Sequence, residues 1–274
     1  MNQDTSSRTI RYSKYYRHRV CEAPFVIWFR ERSGSSFLRS VLNSHPDILC
    51  RHEDFNLILS NDGETDVEFK RKHYKKDLRS FDGPLTDPTR DEVIGHFRKI
   101  MSQQRVACGF KFKFDIQIAC YDEIVEELHW ICRHLQVIFL TRRNLLKQAV
   151  SRQNMERVVE LQQESNVQTK VDLPPLELDI DRALKYAQIL KRDEWKFQNS
   201  VNEYQNVHRV VYEDLINEPE EEFGKILDLL KVKPHENLRS KLQKITPNAL
   251  AAAISNYDQL CDQVRGTDFE QFLD

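Results

Sequence analysis

Phe25-Val26-Ile27-Trp28-Phe29, followed by Arg30-Glu31-Arg32-Ser33-Gly34-Ser35-Ser36-Phe37-Leu38, is the stretch that decides the fold. Five apolar residues in a row mark a short strand buried on both faces. A glycine-serine turn follows, after which Phe37, Leu38, Val41 and Leu42 recur at helical spacing as far as Pro46. Ser35 or Ser36 is the expected N-cap of that helix. The loop therefore joins a buried strand to a helix N-terminus, where unpaired N–H groups and the macrodipole favour an anion. Gly34 lets the backbone come close to such an anion, Ser35 and Ser36 offer hydroxyl donors, and Arg32 can fork onto two oxygens. Alone, Arg32 to Ser36 reads better as an ordinary capped turn; the buried strand before it weakens that reading.

Working outward, the pattern alternates. Ile48 to Cys50 reads as a strand, 90–103 as a helix, Val106 to Phe112 as a strand and Tyr121 to Leu135 as an amphipathic helix. Val137 to Leu140 is another buried strand, with a long helix starting near Asn144. Residues 181–203 read as helix, Val207 to Tyr212 as strand, Glu218 to Leu230 as helix, and the tail as mostly helical. Strands alternating with helices predict an α/β fold with a central parallel sheet of about five strands flanked by helices. The simplest division is a polar arm over 1–22 and one domain over 23–274, with insertions near 60–90 and 160–180. Trp28, Trp130 and Trp195 are expected in the core.

The loop lacks the GxxxxGK[ST] pattern of an ATP- or GTP-hydrolysing P-loop, whose lysine lies on the phosphates and whose hydroxyl lies on magnesium. The later buried strand ends Leu140-Thr141-Arg142-Arg143, where such an enzyme carries a metal-directed aspartate. A basic pair at that point argues for a second phosphate bound directly. Composition narrows the partners: 41 Lys and Arg against 43 Asp and Glu leave a net charge of −2, which argues against a general nucleic-acid binder. The six cysteines contain no CxxC pair, and Cys120, His129, Cys132 and His134 match no zinc spacing, so no metal is expected. The first residues are polar and basic, no apolar run precedes Phe25, and none reaches membrane-spanning length. The expectation is a cytoplasmic chain without a membrane span.

RSGSSFL after a buried strand resembles the 5′-phosphosulfate loop of sulfotransferases that use 3′-phosphoadenosine 5′-phosphosulfate (PAPS). Arg143-Asn144, with Ser151 eight residues after the arginine, is similar to their 3′-phosphate signature. Gly109-Phe110-Lys111 resembles the family's Gly-x-Lys strand, and Val211-Tyr212-Glu213-Asp214-Leu215 with Pro219 resembles its YEDL…P segment. Asn256-Tyr257-Asp258-Gln259-Leu260 and Gly266-Thr267 are similar to the end of bacterial trehalose and nodulation-factor sulfotransferases. One departure is Leu145, where many members have proline.

The resemblance implies a P-loop NTPase-like fold and transfer of a sulfuryl group from PAPS to a hydroxyl of a carbohydrate or glycolipid, without a metal. It implies donor contacts from Arg32, the backbone of Ser33, Gly34, Ser35, Ser36 and Phe37, and from Arg143 and Ser151. Arg32 would stabilise the transferring charge. Bacterial carbohydrate sulfotransferases place a catalytic glutamate where His52-Glu53-Asp54-Phe55 stands, which makes Glu53 the candidate base; His52 is its rival because its ordinary pKa suits neutral pH. Related bacterial enzymes imply a homodimer. The competing readings are a P-loop-like small-molecule kinase and a homologue that binds nucleotide without catalysis.

Overall fold

The computed structural model describes residues 21–52, 90–114, 135–162, 174–202, 204–242 and 246–273. Five strands, β1 (Ala23–Phe29), β2 (Ile48–Cys50), β3 (Ala107–Lys113), β4 (Gln136–Thr141) and β5 (Asn206–Val211), form one sheet in the order β2-β3-β1-β4-β5. Every neighbouring pair is parallel. β1 is central because its apolar run lets it bury both faces. Phe25, Ile27 and Phe29 face one layer, and Val26 and Trp28 the other.

The first layer holds α1 (Ser35–Leu42), α6 (Tyr212–Asn217) and α7 (Pro219–Leu229), with Leu38, Val41, Leu215, Phe223 and Ile226 on the sheet. The second holds α2 (Arg90–Met101) and α5 (Glu194–Asn199), with Phe97, Ile100 and Phe197. Within it, Trp28 stacks on Phe112 at 4.9 Å, and its indole N–H donates to Ser200 Oγ at 3.0 Å. A third apolar cluster joins α3 (Leu145–Gln162) and α4 (Ile180–Arg192) to α8 (Leu250–Ala253), α9 (Tyr257–Val264) and the 3₁₀ turn Glu270–Phe272.

The chain leaves β1 toward β2 at one edge and leaves β4 toward β5 at the other. The strand order therefore reverses between β1 and β4, and the carboxyl ends at such a switch point are where α/β sheets take ligands. The decisive loop follows β1, and Arg142-Arg143 follows β4.

Several expectations need correction. Ser35 and Ser36 are not the N-cap; Gly34 is, and the two serines are the first helical residues, their hydroxyls engaged elsewhere. Residues 181–203 are two helices broken at Asp193, and Tyr212 opens a short helix instead of ending a strand. Trp195 is 74% exposed and not core, whereas Trp28 is buried. From 230 to 249 the described tail has no helix. The helix expected over Tyr121 to Leu135, Trp130, the Cys120–His134 group, the arm over 1–20 and most of both insertions lie outside the described residues. Among the described residues no helix is long and apolar enough to cross a membrane.

Gly109 shows how closely the central strands pack. A Cβ there would lie 2.5 Å from Phe25 O and 2.6 Å from the Phe25 ring. The offending atoms are backbone and buried ring, so they cannot yield cheaply. Gly109→Ala should lower stability by about 1–3 kcal/mol in urea unfolding, with the slope of the transition unchanged.

Candidate functional site

The loop after β1 is shaped by two left-handed residues. Arg32 has φ 60° and Gly34 φ 93°, and Ser33 N–H closes a turn onto Arg30 O at 3.2 Å. A left-handed residue leading into a helix aims successive N–H groups at one point, making an anion-binding concavity. Non-glycine residues at positive φ are costly and cluster at functional sites. Here the strain is held from several sides. Arg30 is buried and donates to Leu190 O at 2.7 Å and to Glu194 Oε2 at 3.3 Å, fixing the end of β1 to α4 and α5. Gln148 of α3 donates to Glu31 O, and Arg142 Nη1 donates to Arg32 O at 3.0 Å.

Gly34 lies directly under Tyr212, the first residue after β5. A Cβ at position 34 would stand 2.2 Å from Tyr212 Cδ2. The same ring carries the Arg142 guanidinium 5.0 Å from its centroid, and Phe37 meets it edge-on at 6.3 Å. The loops after β1, β4 and β5 are thus stacked onto one another.

The cations come from three strands. Lys111 of β3 is 1% exposed, and its Nζ reaches Ser35 Oγ at 3.3 Å and Ser36 Oγ at 3.2 Å, with the Phe29 ring 5.1 Å away. The ammonium that a P-loop supplies from its own loop arrives here from a neighbouring strand. The Gly109-x-Lys111 motif was its signal in the sequence, although a lysine near a strand end also reads as merely exposed. Arg32 Nε donates to Ser151 Oγ at 3.1 Å, so two residues 119 apart in sequence meet. Arg142 is largely withdrawn from solvent, its side chain 10% exposed, and its pKa lies below the ordinary arginine value. Burial is the main cause; the nearby Tyr212 and Glu213 raise it, and Arg32 lowers it further. Among the described residues, Ser33 Oγ and Arg142 Nε are buried polar atoms without a hydrogen-bond partner, both beside the cradle. Orphaned donors of this kind suit a multi-oxygen anion.

Arg143 is placed differently. Its guanidinium is exposed and pairs with both oxygens of Asp214 at 2.8 and 3.0 Å. Glu213 accepts the N–H groups of Arg143 at 2.9 Å and Asn144 at 3.1 Å, while Asn144 Oδ1 caps α3 through Lys147 N–H at 2.8 Å. His52 lies beside Lys111: its carbonyl accepts the Lys111 N–H at 3.2 Å, continuing the β2–β3 ladder. Glu53 lies outside the described residues.

A family model described as the sulfotransferase family matches residues 24–236. The chain belongs to the sulfotransferase family. Among solved structures, this sulfotransferase is similar to one from Alicyclobacillus acidocaldarius at 14% identity and TM-score 0.48, over 92% of this chain and 99% of that one. It is similar to the sulfotransferase domain of a Synechococcus olefin synthase at 18% identity and TM-score 0.48, over 91% and 90% of the two chains. A mouse sulfotransferase complexed with PAP aligns at 13% identity and TM-score 0.40, over 82% of this chain and 64% of that one. No curated protein matches the sequence.

The contact between Gly34 and Tyr212 separates two costs in this sulfotransferase. Gly34→Ala adds both a clash and a strained φ and should lose about 1–3 kcal/mol in urea unfolding. Combining it with Tyr212→Ala should recover the clash and leave the strain, so the double-mutant cycle should show coupling of at least about 0.5 kcal/mol.

Proposed function

We propose that this chain transfers a sulfuryl group from PAPS to a hydroxyl of a carbohydrate or glycolipid. The observation that carries the reading is the cation cluster at the loop after β1: Lys111 reaches the serines at the start of α1, Arg142 donates to Arg32 O, and Arg32 is tied to Ser151. The backbone amides of Ser33, Gly34, Ser35, Ser36 and Phe37 hold the 5′-phosphate at the helix N-terminus. Arg32 and Lys111 neutralise charge that grows on the leaving oxygen and on the transferred group, as in phosphoryl transfer. Both are fixed before the donor arrives, Arg32 by Ser151 and Lys111 by its burial, so little reorganisation is left for the reaction.

Arg143 and Ser151 take the 3′-phosphate. An exposed Arg–Asp pair is worth little in water, so Arg143 can exchange Asp214 for the more highly charged phosphate. Glu53 receives the acceptor proton, and His52, next to it and beside Lys111, is its rival. With Arg142 and Arg143 where a metal-directed acid stands in NTPases, the donor is bound by cations of the protein.

Adenosine 3′,5′-bisphosphate should bind in calorimetry with the same dissociation constant with and without magnesium. Failure to bind, or binding of ATP with magnesium in its place, would remove the proposal. Arg32→Ala should cut turnover by about 10²–10³-fold. Glu53→Gln should depress turnover with bisphosphate affinity retained; full activity would transfer the base role to His52.

A further inference from the structure

Three ionic side chains next to the cradle have no part in the donor site just described. Lys113 lies two residues past Lys111 on the same face of β3, about 7 Å further along the strand. Its Nζ is 3.3 Å from Glu31 Oε2. Arg152 Nη1 is 4.0 Å from that same oxygen, and its guanidinium lies 4.4 Å over the Tyr186 ring. Gln148, Ser151 and Arg152 share one face of α3 and meet the loop at Glu31 O, Arg32 Nε and Glu31 Oε2 respectively. The group is therefore fastened to the transfer locus three times, because Glu31 precedes Arg32, Lys113 follows Lys111 and Arg152 follows Ser151.

In-line transfer puts the incoming oxygen opposite the leaving nucleotide. On the PAPS reading the nucleotide extends toward the end of β4 and Arg143. The acceptor then approaches from the β2–β3 side, where His52 and Lys113 stand; Glu31, after β1, reaches that side through Lys113, and Arg152 of α3 meets Glu31 from the β4 side. The three side chains are neither sealed nor loose, with 24% exposure for Glu31, 26% for Lys113 and 36% for Arg152. Burial alone would raise the Glu31 carboxyl; the charges of Lys113, Arg152 and Arg32 outweigh it and hold it below its ordinary value. Glu31 is thus an ionised, acceptor-only group beside two donor-only groups.

A sugar hydroxyl donates one hydrogen bond and accepts others, so adjacent hydroxyls match a carboxylate flanked by cations. An apolar phenol has no second hydroxyl to offer and would strip water from these charges without replacing it. We propose that Glu31, Lys113 and Arg152 form the acceptor subsite, which takes a polyhydroxylated acceptor through the hydroxyls next to the one that is sulfated. Glu31 is its positioning residue, since it pairs with Lys113 and lies within ion-pair range of Arg152, whose guanidinium also bonds Glu156 Oε1 at 3.4 Å. The proposal rests on the PAPS reading of the adjoining loop.

The test uses the full chain and labelled PAPS with a panel of hexoses, disaccharides and 4-nitrophenol, alongside bisphosphate calorimetry. Saccharides should be preferred over the phenol. Glu31→Gln should raise the saccharide KM about tenfold with kcat within about threefold, and should narrow the preference over the phenol. Bisphosphate affinity should stay within about twofold of wild type, and Lys113→Met should shift KM in the same direction. Preference for the phenol by the wild type overturns the subsite. So does an unchanged saccharide KM in both variants, or an equal loss of bisphosphate and acceptor affinity. Failure of the wild type to bind the bisphosphate instead removes the donor reading, so the two failures are distinguishable.

Discussion

The space left by the missing side chain of Gly34 organises this molecule. Tyr212 fills it, at a distance no Cβ would permit, and Arg142 closes over the same ring. Three strand ends are thereby pressed together: β1 through Gly34, β4 through Arg142 and β5 through Tyr212. A parallel sheet brings its carboxyl ends to one edge by topology, but topology does not set their spacing. The spacing comes from this stack, and Arg142 turns it into a hydrogen bond by donating to Arg32 O at 3.0 Å. The positive φ of Arg32 persists because that bond and the one from Gln148 to Glu31 O clamp the loop on both sides.

Charge is placed by the same logic. A net charge of −2 gives the chain as a whole no attraction for anions, so the cradle must gather its cations locally. Lys111 is buried and the Arg142 side chain is only 10% exposed, and a cation withdrawn from water is costly unless its hydrogen bonds are made. Lys111 uses the hydroxyls of Ser35 and Ser36, which explains why those serines are not spent on capping α1. Arg142 combines the Tyr212 face with a loose ion pair from its Nε to Glu213 Oε1 at 3.8 Å, too long for a hydrogen bond. Glu213 divides itself between Arg142 and the amides of Arg143 and Asn144 just before α3, so one carboxylate orients both a cation and the entry to a helix.

Much of this was legible in the sequence. The run Phe25 to Phe29 named the central strand, and all five strands fall within about two residues of the apolar runs that announced them. The meeting of Arg32 with Ser151 was legible only as two separate motifs. Nothing local in either predicts a bond between residues 119 apart; the strand order supplies it. Local signals misled where tertiary contacts outweighed them. Ser35 and Ser36 have the chemistry of N-caps, yet a lysine from β3 claims their hydroxyls. Trp195 has the composition of a core residue, yet the short helix after the break at Asp193 turns it outward and buries Phe197.

The contrast between Arg142 and Arg143 shows why spacing alone cannot rank neighbours. Both follow β4, and the motif favours the second. The chain turns as it leaves β4, and the first of the pair points inward onto Tyr212 and the loop carbonyl while the second points out to Asp214. Arg142 does so and becomes part of the scaffold that holds the loop in its strained form. Arg143 is left outside on Asp214, in a pair weak enough to be exchanged. A fixed cation and a releasable one at the same strand end divide the work between them. On the proposed PAPS reading the fixed one shapes the cradle and the releasable one exchanges Asp214 for the 3′-phosphate, so the two arginines are not redundant.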